Sequence, residues 1–225
     1  MQHRILVGAA AGLTALALAG AANGQTKTLR ISSWAPPTHH INSKVWPAWG
    51  ECIKKATEGR VTYKIEYKLA SPPRQFDLVR KGVADAAWLF HGYNAGRYVA
   101  TQIVEIPLLG TSAEAASVAY WRIHQKYLEK AREHKGVMVV GLTSHGPAVI
   151  HTRKPIKKMT DLKGMKIRIP SPIAAAIATH FGAIGVKLPA PKVYEALSSG
   201  VADGIFMPVE TQKSFRLAEV APNVI

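Results

Sequence analysis

The sequence predicts an α/β protein made of two similar lobes, each built on a largely parallel sheet, and three observations carry that prediction. Segments that read as strands alternate with segments that read as helices along nearly the whole chain, the rhythm of β-α-β units. The tetrapeptide Gly82-Val83-Ala84-Asp85 returns as Gly200-Val201-Ala202-Asp203, each time after a short helical pattern and before an apolar strand. Hydrophobic residues fill 48% of the 225 positions and charged residues only 19%, a balance that buries a core instead of leaving a solvated coil.

The chain opens on Arg4 and an apolar run from Ile5 to Ala22, with small residues at Ala22 and Gly24, which reads as a cleavable export signal. The expected division is a signal peptide over 1–24, a first lobe over 25–146 and a second over 147–225. Leu29-Arg30-Ile31 reads as the first strand. After Pro36-Pro37 comes a helix whose face is Val45, Trp49, Cys52, Ile53 and Ala56, closed by Gly59. Val61 to Tyr67 alternates apolar and polar residues as a strand does, and Pro72-Pro73 precedes a short helix with Phe76, Leu78 and Val79. Gly82 stops that helix, and Asp85 leads into an apolar strand over 86–90. Thr111 and Glu114 have capping-box spacing for a long helix running to about Glu133. Val137 to Leu142 reads as a buried strand, Val149-Ile150 as another, and Pro155 to Lys163 as a basic connector.

The second copy of the plan opens with a strand over 166–169, then a helix started by Ser171-Pro172 with Ile173, Ile177 and Phe181 on one face. A strand around Val186-Lys187-Leu188, a helix with Val193, Tyr194 and Leu197, and the repeated tetrapeptide follow. Glycine ends the helix in both tetrapeptides, and Asp85 and Asp203 fix the turn into the strand. Cys52 is the only cysteine, so the fold is held by packing without an internal disulfide, and the helical pattern places Cys52 on the packed face.

The formal net charge of +15 raises the possibility of a nucleic-acid partner, but the Lys and Arg residues are spread over the length without a basic run interleaved with aromatics. They read as solvated faces with a mild attraction for anions. Enzyme signatures are poor. Gly141 to Gly146 lacks the G-x-S-x-G spacing, so a secreted hydrolase would need a nucleophile and base that the sequence does not supply. His39-His40 has no third ligand at metal spacing, and neither paired cysteines nor a phosphate-binding Gly-rich loop occurs, so no metal or cofactor is expected.

The chemistry centres on Arg168, near the carboxyl end of its strand, where ligands sit in open α/β sheets. Its guanidinium is a planar fork matched to a carboxylate, and the helix start at Ser171 adds backbone donors. Trp34, Phe90, His91 and Tyr93 follow strands of the first lobe, and Phe206 and Met207 occupy the matching place in the second. An arginine among these rings favours an acid with an apolar or aromatic body.

The segment Asp161 to Pro170 resembles the solute-binding proteins (DctP type) of tripartite ATP-independent periplasmic (TRAP) transporters. The likeness extends to 56–61, 76–85, Glu105-Ile106-Pro107, 193–197, 200–204, Pro208 and Glu210. The resemblance implies a type II periplasmic-binding-protein architecture that closes on a small organic acid and hands it to membrane permease subunits. Arg168 matches the family's carboxylate-pairing arginine. Met207 falls where some sugar-acid receptors carry a polar contact, which disfavours a strongly polar sugar acid. Family members continue past the point matched by Ile225, so the expected architecture is apparently truncated at its C-terminus, and a non-functional receptor fragment is the alternative reading.

Overall fold

The strands of the computed structural model, which describes residues 26–109 and 112–225, form two sheets. The expected export signal and the Thr111 half of the capping box lie outside the described residues. In the first sheet, β1 (Lys27–Ser33) lies between β2 (Val61–Tyr67) and β3 (Ala86–Ala87), all parallel. Helices α1 (Trp46–Ala56) and α2 (Gln75–Arg80) make the crossovers. After α3 (Ala113–Ile123) the chain reaches the second sheet. Its strands are β4 (Ala148–Thr152), β5 (Lys166–Ile169), β6 (Ile184–Lys187), β7 (Gly204–Pro208) and β8 (Asn223–Val224), in the order β6-β5-β7-β4-β8. Helices α4 (Pro172–His180) and α5 (Val193–Ser198) link its three parallel strands, and α6 (Thr211–Ser214) and α7 (Leu217–Val220) follow β7. The second sheet is mixed, because β4 runs antiparallel to β7 and β8.

The tetrapeptide echo has a single structural meaning. The Asp85 carboxylate accepts from Arg30 N–H at 2.8 Å and its own N–H donates to the Arg30 carbonyl at 2.9 Å. Asp203 does the same to Lys166, at 2.9 and 2.7 Å. Each aspartate thereby splices the strand it opens to the parallel neighbour, β3 to β1 and β7 to β5. Gly82 and Gly200 close the preceding helices at φ 69° and 78°, where a β-carbon is strained. Both units share the order β2-β1-β3 or its equivalent β6-β5-β7, so the central strand of each is the first in sequence.

Two clusters sandwich β7. Ile205 and Met207 pack with Val193, Leu197, Phe215 and Leu217 on one side, and Phe206 packs with Ile150, Leu162, Ile167 and Ala178 on the other. The alternation is that of a strand covered on both faces.

Several elements depart from the sequence reading. The buried face of α1 is Trp46 and Gly50, while Val45 and Cys52 are exposed. The helix presses Gly50 against Tyr63 of β2, where an added β-carbon would sit 2.1 Å from the ring, and this close approach selects the face. Ser112, one residue later than expected, caps α3 by accepting from Ala115 N–H at 3.1 Å. The α-helix stops at Ile123 and continues to Ala131 as a wide and then a tight turn, ended by Arg132 at φ 53°. The strand expected over 86–90 is paired only at Ala86–Ala87. Val137 to Leu142 forms no strand: no described strand pairs with it, and Met138 and Val140 are exposed. Apolar content alone does not make a strand without a neighbour to bond.

Candidate functional site

Arg168 is the third residue of β5, which lies between β6 and β7 in the second sheet, and the residue is 2% exposed. Its Nε donates to the Leu188 carbonyl just past β6 at 2.8 Å, and Nη1 to the Phe206 carbonyl of β7 at 3.2 Å. Nη2 donates to the Tyr93 hydroxyl at 3.2 Å. A guanidinium has five N–H donors, so one N–H on each terminal nitrogen remains for a further acceptor. No described acidic side chain forms a salt bridge to this arginine. Burial pulls its pKa down from the ordinary arginine value, and Tyr93 opposes that shift. Arginine stays protonated all the same, so the site is a buried fixed cation held by two carbonyls and a phenol.

Tyr93 joins the two sheets. It lies in a short turn at His91–Tyr93 beyond β3, and its hydroxyl also accepts from Ala190 N–H at 2.8 Å. Its ring is edge-on to Phe90 at 5.1 Å and to Trp34 at 5.9 Å. Trp34 stacks on Trp88 at 4.2 Å, and Trp88 on His39 at 5.5 Å. From Tyr93, one string of rings runs through Phe90 to His145, and another through Trp34, Trp88 and His39 to His40. Both strings end at a cavity of about 410 Å³, whose lining includes His40, His145, Ser144, Glu210 and Lys213. The Glu210 carboxylate there accepts from Gly146 N–H at 2.9 Å. Arg168 thus stands behind a hedge of aromatic rings that ends at a polar mouth, whose lining does not include Arg168 itself.

The other residues singled out in the sequence fall as follows. Ser171 caps α4, its hydroxyl accepting from Ala174 N–H at 3.2 Å, with Pro172 in the first turn. Burial raises the pKa of Glu105, and the Ser171 hydroxyl and His145 counter that rise. His91 turns away from Arg168: its Nδ1 is 3.0 Å from the Tyr120 hydroxyl and its Nε2 2.9 Å from His134 Nε2. Phe206 and Met207 are 8% and 5% exposed and belong to the two cores, so β7 presents a backbone carbonyl to the guanidinium instead of a side-chain wall. The Met207 carbonyl lies 3.1 Å from His151 Nε2. Alternation along a strand covered on both faces sends these two side chains into the cores.

The sequence reading missed Trp88, His39 and His145. Trp88 sits in the apolar run after Asp85, where every residue looked equally buried, and the parallel pairing of β3 with β1 is needed to bring it onto Trp34. Among the described residues no group of three His, Cys, Asp or Glu side chains could hold a metal ion, and no helix is long and apolar enough to cross a membrane.

Comparison with known proteins agrees with this architecture. Residues 31–225 match the family model described as bacterial extracellular solute-binding protein, family 7. A curated relative from Comamonas testosteroni, named outer membrane transporter protein TsaT, is 35% identical over 90% of this chain and 60% of its own length. A TRAP periplasmic solute-binding protein from Bordetella bronchiseptica, solved with bound (R)- and (S)-mandelate, is 42% identical, with a TM-score of 0.83 over 86% of this chain and 62% of that one. A TRAP solute-binding protein from Rhodoferax ferrireducens with copurified benzoate is 33% identical, with a TM-score of 0.82 over 87% of this chain and 62% of that one. A marine metagenome protein specific for aromatic acids, with 3-hydroxybenzoate, is 32% identical, with a TM-score of 0.84 over 89% and 63%. The chain spans about three fifths of the length of these relatives. The chain belongs to the bacterial extracellular solute-binding proteins of family 7, as a DctP-type TRAP solute-binding protein.

Proposed function

We propose that this protein is the extracytoplasmic receptor of a TRAP transporter, capturing a small monocarboxylic acid with an aromatic body and delivering it to a membrane permease. The observation that carries the reading is Arg168: a buried cation at the carboxyl half of a central strand, with one N–H left on each terminal nitrogen. Two parallel N–H donors on one fork suit the two oxygens of a carboxylate. Tyr93, Phe90, Trp34 and Trp88 enclose an apolar body, consistent with the mandelate, benzoate and 3-hydroxybenzoate held by relatives. Because Tyr93 comes from the first sheet and Arg168 from the second, ligand binding and closure of the two units are coupled: the site is complete only when they meet. The apolar leader and the family likeness support the periplasm as its place of work.

Calorimetric titration with benzoate, benzamide and an aliphatic dicarboxylate tests the reading. Benzoate is expected to bind, benzamide not, and the dicarboxylate weakly, because the guanidinium has donors left for one carboxylate only. Arg168→Ala is expected to abolish benzoate binding. Equal binding of benzoate and benzamide, or retention by Arg168→Ala, contradicts the proposal.

A further inference from the structure

The wall around Arg168 holds a second donor without a partner. Trp34 follows β1, and its indole packs edge-on to Tyr93 and against the second core. Tyr93 is one of the groups that hold the guanidinium, its hydroxyl taking Nη2. The two stacked indoles differ in their polar atoms. Trp88 Nε1 donates to Ser33 Oγ at 3.1 Å, whereas Trp34 Nε1 is buried and has no acceptor among the described residues. Trp46 Nε1 is also unpaired, but its ring belongs to α1 and packs edge-on to Trp49 at 5.4 Å. A buried donor left unpaired is costly, so the atom calls for an acceptor supplied from outside the protein.

We infer that the Trp34 indole N–H reads an oxygen that the ligand carries next to its carboxylate, making Trp34 a specificity-determining residue for 2-hydroxy or 2-oxo arylacetic acids. The inference rests on the carboxylate reading of Arg168. With the carboxylate on the two remaining guanidinium donors, the adjoining carbon is directed toward the ring that packs edge-on to the same Tyr93. An oxygen on that carbon satisfies the orphaned N–H; a methylene leaves it unpaired. Sites built to bond a ligand oxygen reject analogues that lack it far more strongly than apolar pockets reject a missing methylene.

Titration of the wild-type protein and Trp34→Phe with phenylacetate, mandelate and phenylglyoxylate tests this, since the three acids differ at one carbon. The wild type is expected to prefer mandelate or phenylglyoxylate over phenylacetate by about tenfold or more. In Trp34→Phe that ratio is expected to fall to near one, with phenylacetate affinity less affected. Equal affinities in the wild type, or an unchanged ratio in the variant, overturn the inference while leaving the carboxylate site standing. Binding of none of the three removes both. A ¹⁵N-indole spectrum of the wild type is independent of the variant's folding: the Trp34 Nε1 resonance should shift with mandelate and not with phenylacetate, and identical shifts with both acids overturn the inference.

Discussion

At the scale of single residues, Arg168 is defined by what it already holds. Two backbone carbonyls and one phenol fix its plane, so Arg168→Lys cannot reproduce the fork and leaves carbonyls unpaired. That variant is expected to weaken benzoate binding by about a hundredfold or more in a calorimetric titration, as loss of a charge-assisted bidentate contact implies. Tyr93→Phe removes the hydroxyl that receives both Arg168 and Ala190, and about tenfold weaker binding is expected, mostly through a faster off-rate in stopped-flow measurements. Histidine burial sets a pH dependence. Burial lowers His39 to about 4 and His91 to about 3, below the ordinary value near 6.5, with His40 and His134 adding to the shifts and Glu210 and Glu133 opposing them. His91 faces Tyr120, Tyr98, His124 and His134, and Glu133 is the acidic group that favours its charge, too weakly to offset burial. Both folded pKa values are depressed, so the unfolded chain binds more protons below about pH 6.5. Stability should be full above that pH and fall progressively toward pH 3 to 4, seen as a declining urea midpoint, and His91→Gln should flatten the slope. The role of Arg168 was legible because a strand followed by Ser-Pro is a local signal. The direction of His91 was not, because its partners Tyr120 and His134 are distant in sequence and no local period reports them.

At the scale of elements, the repeated tetrapeptide is the clearest passage from sequence to structure. Asp85 and Asp203 each accept from the N–H two residues before a buried polar side chain, Ser32 on β1 and Arg168 on β5. The two copies are therefore the same joint with different chemistry at its end. Asp203→Ala is expected to cost about 1 kcal/mol of stability, the usual worth of one exposed hydrogen bond, and to weaken ligand binding by moving β5; Asp85→Ala should cost a similar amount. Chemical denaturation of the two variants, read beside their ligand affinities, checks both expectations. Gly50→Ala drives a methyl group into Tyr63 and is expected to cost about 1–3 kcal/mol in the same assay, although a helical glycine replaced by alanine normally stabilises. The sequence placed α1 one residue out of phase because Val45, Trp49 and Cys52 are as apolar as Trp46. The face was chosen by the glycine that lets helix and strand touch, and hydrophobic periodicity cannot see it. Val137 to Leu142 failed as a strand for a related reason: pairing is a property of two segments, and the reading had only one.

At the scale of the whole molecule, two sheets that share a three-strand order, β2-β1-β3 and β6-β5-β7, meet through Tyr93 on Arg168 and Ala190, with Trp34 packed against the second core. The double plan, the alternation of strands and helices, and the family likeness were all readable from the chain. The antiparallel β4 and β8 were not, since nothing in their short apolar patterns gives direction. A ligand that completes the junction should raise the melting temperature, by a stabilisation of about 2.7 kcal/mol when it is present at a hundred times its dissociation constant. A crystal structure of the protein with mandelate reports where the acid sits. The carboxylate is expected on the two free N–H groups of Arg168 at about 2.7–2.9 Å, with the aromatic ring among Phe90, Trp34 and Trp88. A carboxylate seated at the polar mouth near Lys213, with Arg168 bonded only to Leu188, Phe206 and Tyr93, would contradict that placement.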